Sequence, residues 1–321
     1  LPHTEDGGAA RGGSSAAAAN HVHLVRTLLG LLVHPNVGAA VVLQSADDVA
    51  VASAAGGGVS YDTLKAAAEG SGHAARLAST PHLVRTLALH EFGVELADAT
   101  AAAASLLPDL RAACRQPCAA SALVVAQQCG GSDAFSGTAA NPLLADASKL
   151  LVEAGGAALL AETDELIGAE QYVLQNVADY PTARRFLDLV SRFRQYADEH
   201  NTSAEGNPSG GNMLRGLYNI ALKSLGAAMK RHPQVRLERV IEYAELLPIA
   251  TAPEIAEIGD EGEGVGVGSS TADGAPAFGG CVGPGYCFMD SPGNDLESIA
   301  GQVAAGCNVI YFSTGNGSIT N

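Results

Sequence analysis

The chain has 321 residues, with 34 acidic side chains against 18 Lys and Arg, and a formal net charge of −16. No basic cluster offsets that balance, so a nucleic acid or an acidic membrane surface is excluded as a partner, and no apolar run approaches the about 18 residues of a membrane span. Six cysteines (Cys114, Cys118, Cys129, Cys281, Cys287 and Cys307) without C-x-x-C spacing fit neither a disulfide scaffold nor a zinc site, which points to a soluble intracellular protein of a reducing compartment.

The length suggests two domains. Residues 1–20 form a Gly/Ala/Ser-rich loop, followed by an apolar helix around His21 to Leu32 and a buried strand from Val37 to Ser45. Residues 50–80 are small and nearly featureless, and "STPHLVRTLALHEFG" (79–93) has the Ser/Thr-Pro opening and Gly close of a helix. A buried strand, "ASALVVAQ" (120–127), runs into the turn-rich "QCGGSDAFSGTAANPLL" (128–144). A helix from Pro142 to Ala154, the short strand "AALLAE" (157–162) and the acidic turn "TDELIGAE" follow. A long amphipathic helix is expected from Thr182 to His200, with Phe186, Leu189, Val190 and Phe193 on one face. Next come the loop "EGNPSGGN" (205–212) and a helix through Lys230, whereas 249–284, rich in Gly, Glu and Ala, reads as a flexible insertion. The closing unit is strand 285–290, loop "SPGND", helix Leu296 to Ala305, strand 308–314 and loop "GNGS". With Leu first and Asn321 last, the chain reads as cut at both ends, which leaves the organelle open.

Strands alternating with helices predict an α/β fold with a largely parallel sheet, flanking helices and two subdomains, residues 1–118 and 119–321. Three of the predicted strands end in Gly/Asp/Ser/Asn loops, the place where such sheets bind polyhydroxylated or anionic ligands.

The blocks "QCGGSDAFSGTAANP", "AETDELIGAEQYVLQN", "SAEGNPSGGN…KSLGAAM" and "FMDSPGNDLESIAGQVAAGCNVIYFSTGNGS" resemble the altronate/galactarate dehydratase family from about residue 120 to the end, and "LPHTE" is similar to a further block. The resemblance implies an iron- or manganese-dependent hydro-lyase that converts a sugar acid to a 2-keto-3-deoxy acid. Such a reaction needs a base, a Lewis acid and an acid for the departing hydroxyl. It implies a homo-oligomer or a subunit of a larger assembly. Carried onto this chain, the catalytic candidates are Glu162, Asp164, Glu165, Lys223 and Asp290. Candidates for holding Fe(II) or Mn(II) are His3, Cys129 and Glu170. Substrate contacts fall to Ser132, Asp133, Asn207, Ser209, Asn212, Thr314, Asn316 and Ser318, whose hydroxyl, amide and carboxylate groups suit a sugar acid.

Two cysteine-bearing blocks of the family are missing. "HTEDGGAARGG" keeps His3 but has no cysteine, and "LQSADDVAVASAAGGG" has small residues where the family shows Gly-Cys-Glu. A second expectation therefore stands beside the enzyme: a catalytically degenerate member serving as a structural or interaction subunit.

Overall fold

The computed structural model describes residues 15–46, 49–50, 59–87, 92–114, 117–247 and 285–318. His3 and the insertion at 249–284 lie outside the described residues, and so does most of the "LQSADDVAVASAAGGG" segment. The chain divides into two compact units, Leu1–Pro117 and Cys118–Asn321. Both are built on parallel strands flanked by helices, an α/β architecture.

In the first unit, β1 (Ala40–Ser45) pairs in parallel with β2 (His82–Leu87) in the register Ala40 to His82 through Ser45 to Leu87. Helices α1 (Ser15–Leu32), α2 (Tyr61–Gly70), α3 (Ala74–Ser79) and α4 (Phe92–Ala112) accompany them. Residues 79–93 were expected to be helical and contain a strand instead. Pro81 accepts a bond from Ala40 N at 2.9 Å and starts the ladder, and "HLVRTL" alternates well enough to continue it. The Ser/Thr-Pro opening is common to both kinds of element, and the tertiary partner decided.

The second unit holds five parallel strands in the order β5–β6–β4–β3–β7. These are β3 (Val124–Cys129), β4 (Ala157–Leu160), β5 (Leu237–Ile241), β6 (Gly285–Met289) and β7 (Val309–Ser313). Every residue of β3, β4 and β6 is buried, as parallel strands covered on both faces require. The pleat sends Ala158, Leu160, Tyr286 and Phe288 to a core with Phe186, Leu189 and Val190. Leu159, Cys287 and Met289 face the opposite way, towards Val124, Ala126 and Ala305. The helices are α5 (Asn141–Glu153), α6 (Glu170–Val173), α7 (Tyr180–Glu199), α8 (Gly210–Leu214), α9 (Ile220–Ala228) and α10 (Asp295–Ala304).

The edge strand β5 was not anticipated, because Glu238 and Arg239 interrupt its apolar pattern and its pairing with β6 shifts register between Leu237 and Arg239. Among the described residues no helix is long and apolar enough to cross a membrane.

Candidate active site

Chemistry-bearing side chains gather at the carboxyl ends of β3, β4 and β6. Cys129 ends β3, and Glu162 follows β4 with φ of 71° and ψ of 69°, a left-handed conformation unusual for a side chain of its size. Two bonds hold it there: Glu162 N donates to Ser291 Oγ at 3.0 Å and Thr163 N to Ser291 O at 2.8 Å. The loop after β6 thus fixes the turn after β4, and strain held by neighbours in this way is a mark of functional sites.

Around that turn lies a buried network. Cys129 Sγ is 3.4 Å from Glu165 Oε2 and 3.9 Å from Glu162 Oε2. Lys230 Nζ donates to Glu162 Oε2 and lies 3.2 Å from Cys129 Sγ, with neither Lys230 nor Glu162 exposed at all. Lys223 Nζ donates to Glu165 Oε1 at 2.7 Å and to Asn207 Oδ1. Asn207 Nδ2 in turn donates to Asp164 Oδ2 at 2.6 Å, while Asp164 Oδ1 is buried without a partner. Gln128 Nε2 closes the floor, donating to Glu162 Oε1 at 2.6 Å and Asp295 Oδ1 at 2.8 Å. Asp295 is free for this because Asn294 caps α10 by accepting from Leu296 N and Glu297 N.

Burial, only partly opposed by Lys230, pushes the Glu162 carboxyl up to about 8. Desolvation, reinforced by Glu165, pushes Asp164 up to about 6. Burial also raises the Cys129 thiol well above its ordinary range, so the sulfur carries its proton at neutral pH. For Lys230 and Lys223 burial opposes the charge, but the carboxyl groups they bond, Glu162 and Glu165, raise both ammonium groups, and both stay protonated. Two carboxyls poised within reach of neutral pH beside two fixed cations are equipped for proton transfer.

Of the catalytic candidates, Glu162, Asp164, Glu165 and Lys223 converge in this network. Asp290 stands beside it, accepting from Thr163 Oγ1 at 2.5 Å and from Arg192 Nη2 at 2.6 Å, so its carboxylate is committed to holding the turn. Of the metal candidates Cys129 is central. Glu170 is not brought to it: Arg194 holds one carboxylate oxygen at 2.5 Å and Gly168 N the other at 2.9 Å. Cys129, Glu162 and Glu165 instead form a group that could hold a metal ion, their donor atoms all within 4.8 Å of one another.

The proposed substrate contacts divide in the same way. Asn207 belongs to the network. Asn212 Nδ2 donates to Ser132 O at 2.7 Å, Ser209 caps α8 through Asn212 N at 3.2 Å, and Asp133 Oδ1 caps the following turn through Ser136 N at 2.7 Å. Thr314, Asn316 and Ser318 lie on the exposed loop after β7. With its amide turned to satisfy both atoms, Asn316 donates to Gly131 O at 2.7 Å and accepts from Arg215 Nε at 3.1 Å.

Lys230, Gln127 and Gln128 were not anticipated. Lys230 follows the apolar Gly-Ala-Ala-Met end of a helix, where a lysine ordinarily complements the helix dipole from solvent. The two glutamines continue a strand that looks apolar in sequence, and their burial was the missing signal.

A parallel α/β sheet whose strand ends converge on buried carboxylates, lysines and a thiol brings together the groups that acid–base chemistry requires. The sequence pattern of the family described as D-galactarate/altronate dehydratase, C-terminal, matches residues 120–252 and 268–321, and the chain belongs to this family. It is 31% identical over 198 residues to the altronate dehydratase of Bacillus subtilis (strain 168), covering 62% of this chain and 33% of that protein. It is 31% identical over 207 residues to the (2R)-sulfolactate sulfo-lyase subunit beta of Chromohalobacter salexigens, covering 64% of this chain and 44% of that protein. With the galactarate dehydratase (L-threo-forming) of Escherichia coli (strain K12) it shares 29% identity over 204 residues, 64% of this chain and 32% of that protein. The chain thus spans less than half the length of each of these relatives.

Proposed function

We propose that the second unit carries the catalytic centre of a dehydratase that converts a sugar acid of the altronate or galactarate type to its 2-keto-3-deoxy product. The observation that carries this reading is Asp164: one carboxylate oxygen is buried without a partner, and burial places the group near 6, beside the fixed cation Lys223. Asp164 Oδ1 takes the proton next to the substrate carboxylate. Lys223, kept charged by Glu165, gives a proton to the departing 3-hydroxyl, which leaves as water, and the enol that remains becomes the 2-keto-3-deoxy acid. Asn207 aligns Asp164 with Lys223. Asp290 fixes the Thr163 turn, and Ser132, Asp133, Ser209, Asn212, Thr314, Asn316 and Ser318 border the crevice where sugar hydroxyls bind.

The donor set of Cys129, Glu162 and Glu165, one sulfur and two carboxylates, fits a borderline-soft divalent cation such as Fe(II) or Mn(II). When bound, that ion makes the proton beside the substrate carboxylate more acidic.

A second reading is favoured by one observation: Lys230 and Lys223 already bond Glu162 and Glu165 from within the protein. A centre closed in this way suits a catalytically degenerate member that works as a subunit of an assembly, as a homo-oligomer or with other chains. The deciding experiment incubates the purified chain with Fe²⁺ under anaerobic conditions and assays galactarate and altronate for the 2-keto-3-deoxy product. Product that disappears in Asp164→Asn supports the enzyme; no product from the metal-supplied wild type supports the subunit.

A further inference from the structure

We propose that the Lys230 ammonium is a resident cation that competes with a divalent metal for Cys129 Sγ and the Glu162 carboxylate, so that the centre stays assembled without metal and binds it only by displacing the lysine. The inference rests on the donor set assigned above. Lys230 Nζ lies 3.2 Å from Cys129 Sγ and donates to Glu162 Oε2, so it already contacts two of the three donors. Its root is pinned: Gln127 Nε2 donates to the Lys230 carbonyl at 2.7 Å and to Ser148 Oγ at 2.7 Å, and Tyr286 Oη donates to Gln127 Oε1. The side chain is fully buried, which keeps its charge among the donors. Two like charges that share donors in a buried site repel strongly. Lys223 differs, because it bonds Glu165 through Oε1 and leaves Oε2 facing the thiol. Lys230 thus bonds two of the three donor residues and Lys223 one.

The test is a Co²⁺ titration of the full chain, followed by calorimetry and by the near-ultraviolet thiolate-to-cobalt charge-transfer band. Lys230→Met removes the charge. Lys230→Gln removes it too but keeps an N–H for Glu162, and so guards against misfolding. Both variants are expected to bind Co²⁺ at least about tenfold tighter than wild type, with a band that Cys129→Ser abolishes in the Lys230→Gln background. Wild-type affinity equal to or tighter than that of the folded variants overturns the proposal. If neither variant folds, acylation of Lys230 in the wild type, read by mass spectrometry, decides: saturating Co²⁺ should raise its labelling, and unchanged labelling overturns the proposal. Binding and labelling are read without turnover, so an inactive chain still tests the role of Lys230, and an active chain can still refute it.

Discussion

Lys223 Nζ donates to Glu165 Oε1 at 2.7 Å with both side chains almost wholly removed from solvent. Removing one partner of a buried pair leaves the other charge uncompensated, a larger effect than the net stability of the pair itself. Glu165→Gln and Lys223→Met should each destabilise the second unit by about 3 kcal/mol. The double variant should lose less than the sum, which urea midpoints in a double-mutant cycle will show.

The raised pKa of Asp164 links stability to pH. A carboxyl whose folded value, about 6, exceeds its ordinary 3.8 favours the native state while protonated. That contribution is full below about 3.8 and lost as pH rises through about 6. Asp164→Asn abolishes the titration, so its stability relative to wild type should climb between pH 4 and pH 7, as measured by urea unfolding across that range. A difference that stays flat with pH would refute the assignment.

Gly293 lets the loop after β6 close over the acidic turn. A Cβ there would stand 2.9 Å from Asp164 Oδ2 and 3.1 Å from Glu165 Cγ. Gly293→Ala should therefore displace those carboxylates, lowering kcat of the proposed dehydration by about tenfold, an order consistent with small misplacements at a reacting centre. The melting temperature should fall by only a few degrees, since the nearest atoms the added methyl meets belong to the Asp164 and Glu165 side chains.

Phe186 anchors α7 on the sheet. It is fully buried and meets Phe288 edge-on, with ring centroids 5.0 Å apart and planes at 84°. Phe186→Ala should cost about 3–5 kcal/mol in calorimetric or urea unfolding. The effect should exceed that of Leu187→Ala on the solvent side of the same helix, where Leu187 is 38% exposed.

The sequence made α7 legible because Phe186, Leu189 and Val190 recur at helical spacing, and all three are buried in the structure. Strands β3, β4, β6 and β7 were legible as short apolar runs bounded by glycine and polar turns. Residues 82–87 misled because helix and strand both begin after Thr-Pro, and the parallel partner β1 that settled the matter lies about 40 positions earlier. The acidic turn was visible, but its internal assignment was not. Glu165 and Glu170 look alike in sequence, and only the folded chain turns one towards Cys129 and hands the other to Arg194. Lys230 escaped notice because nothing local distinguishes a buried lysine from a solvated one; its partners Glu162 and Cys129 are 68 and 101 residues away.

Those separations bear on how the molecule comes into being. Gln128 reaches Asp295 across 167 positions and Glu162 meets Ser291 across 129, so the chemical centre cannot form from any contiguous stretch. Closing loops of that size is entropically unfavourable until the sheet between them has paired. The buried charges should consequently meet late in folding, after β6 has docked between β4 and β5. During biosynthesis, the emerging chain would lack this buried network until β6 and the loop after it had joined the sheet, and the network would report on completed folding more faithfully than secondary-structure content does.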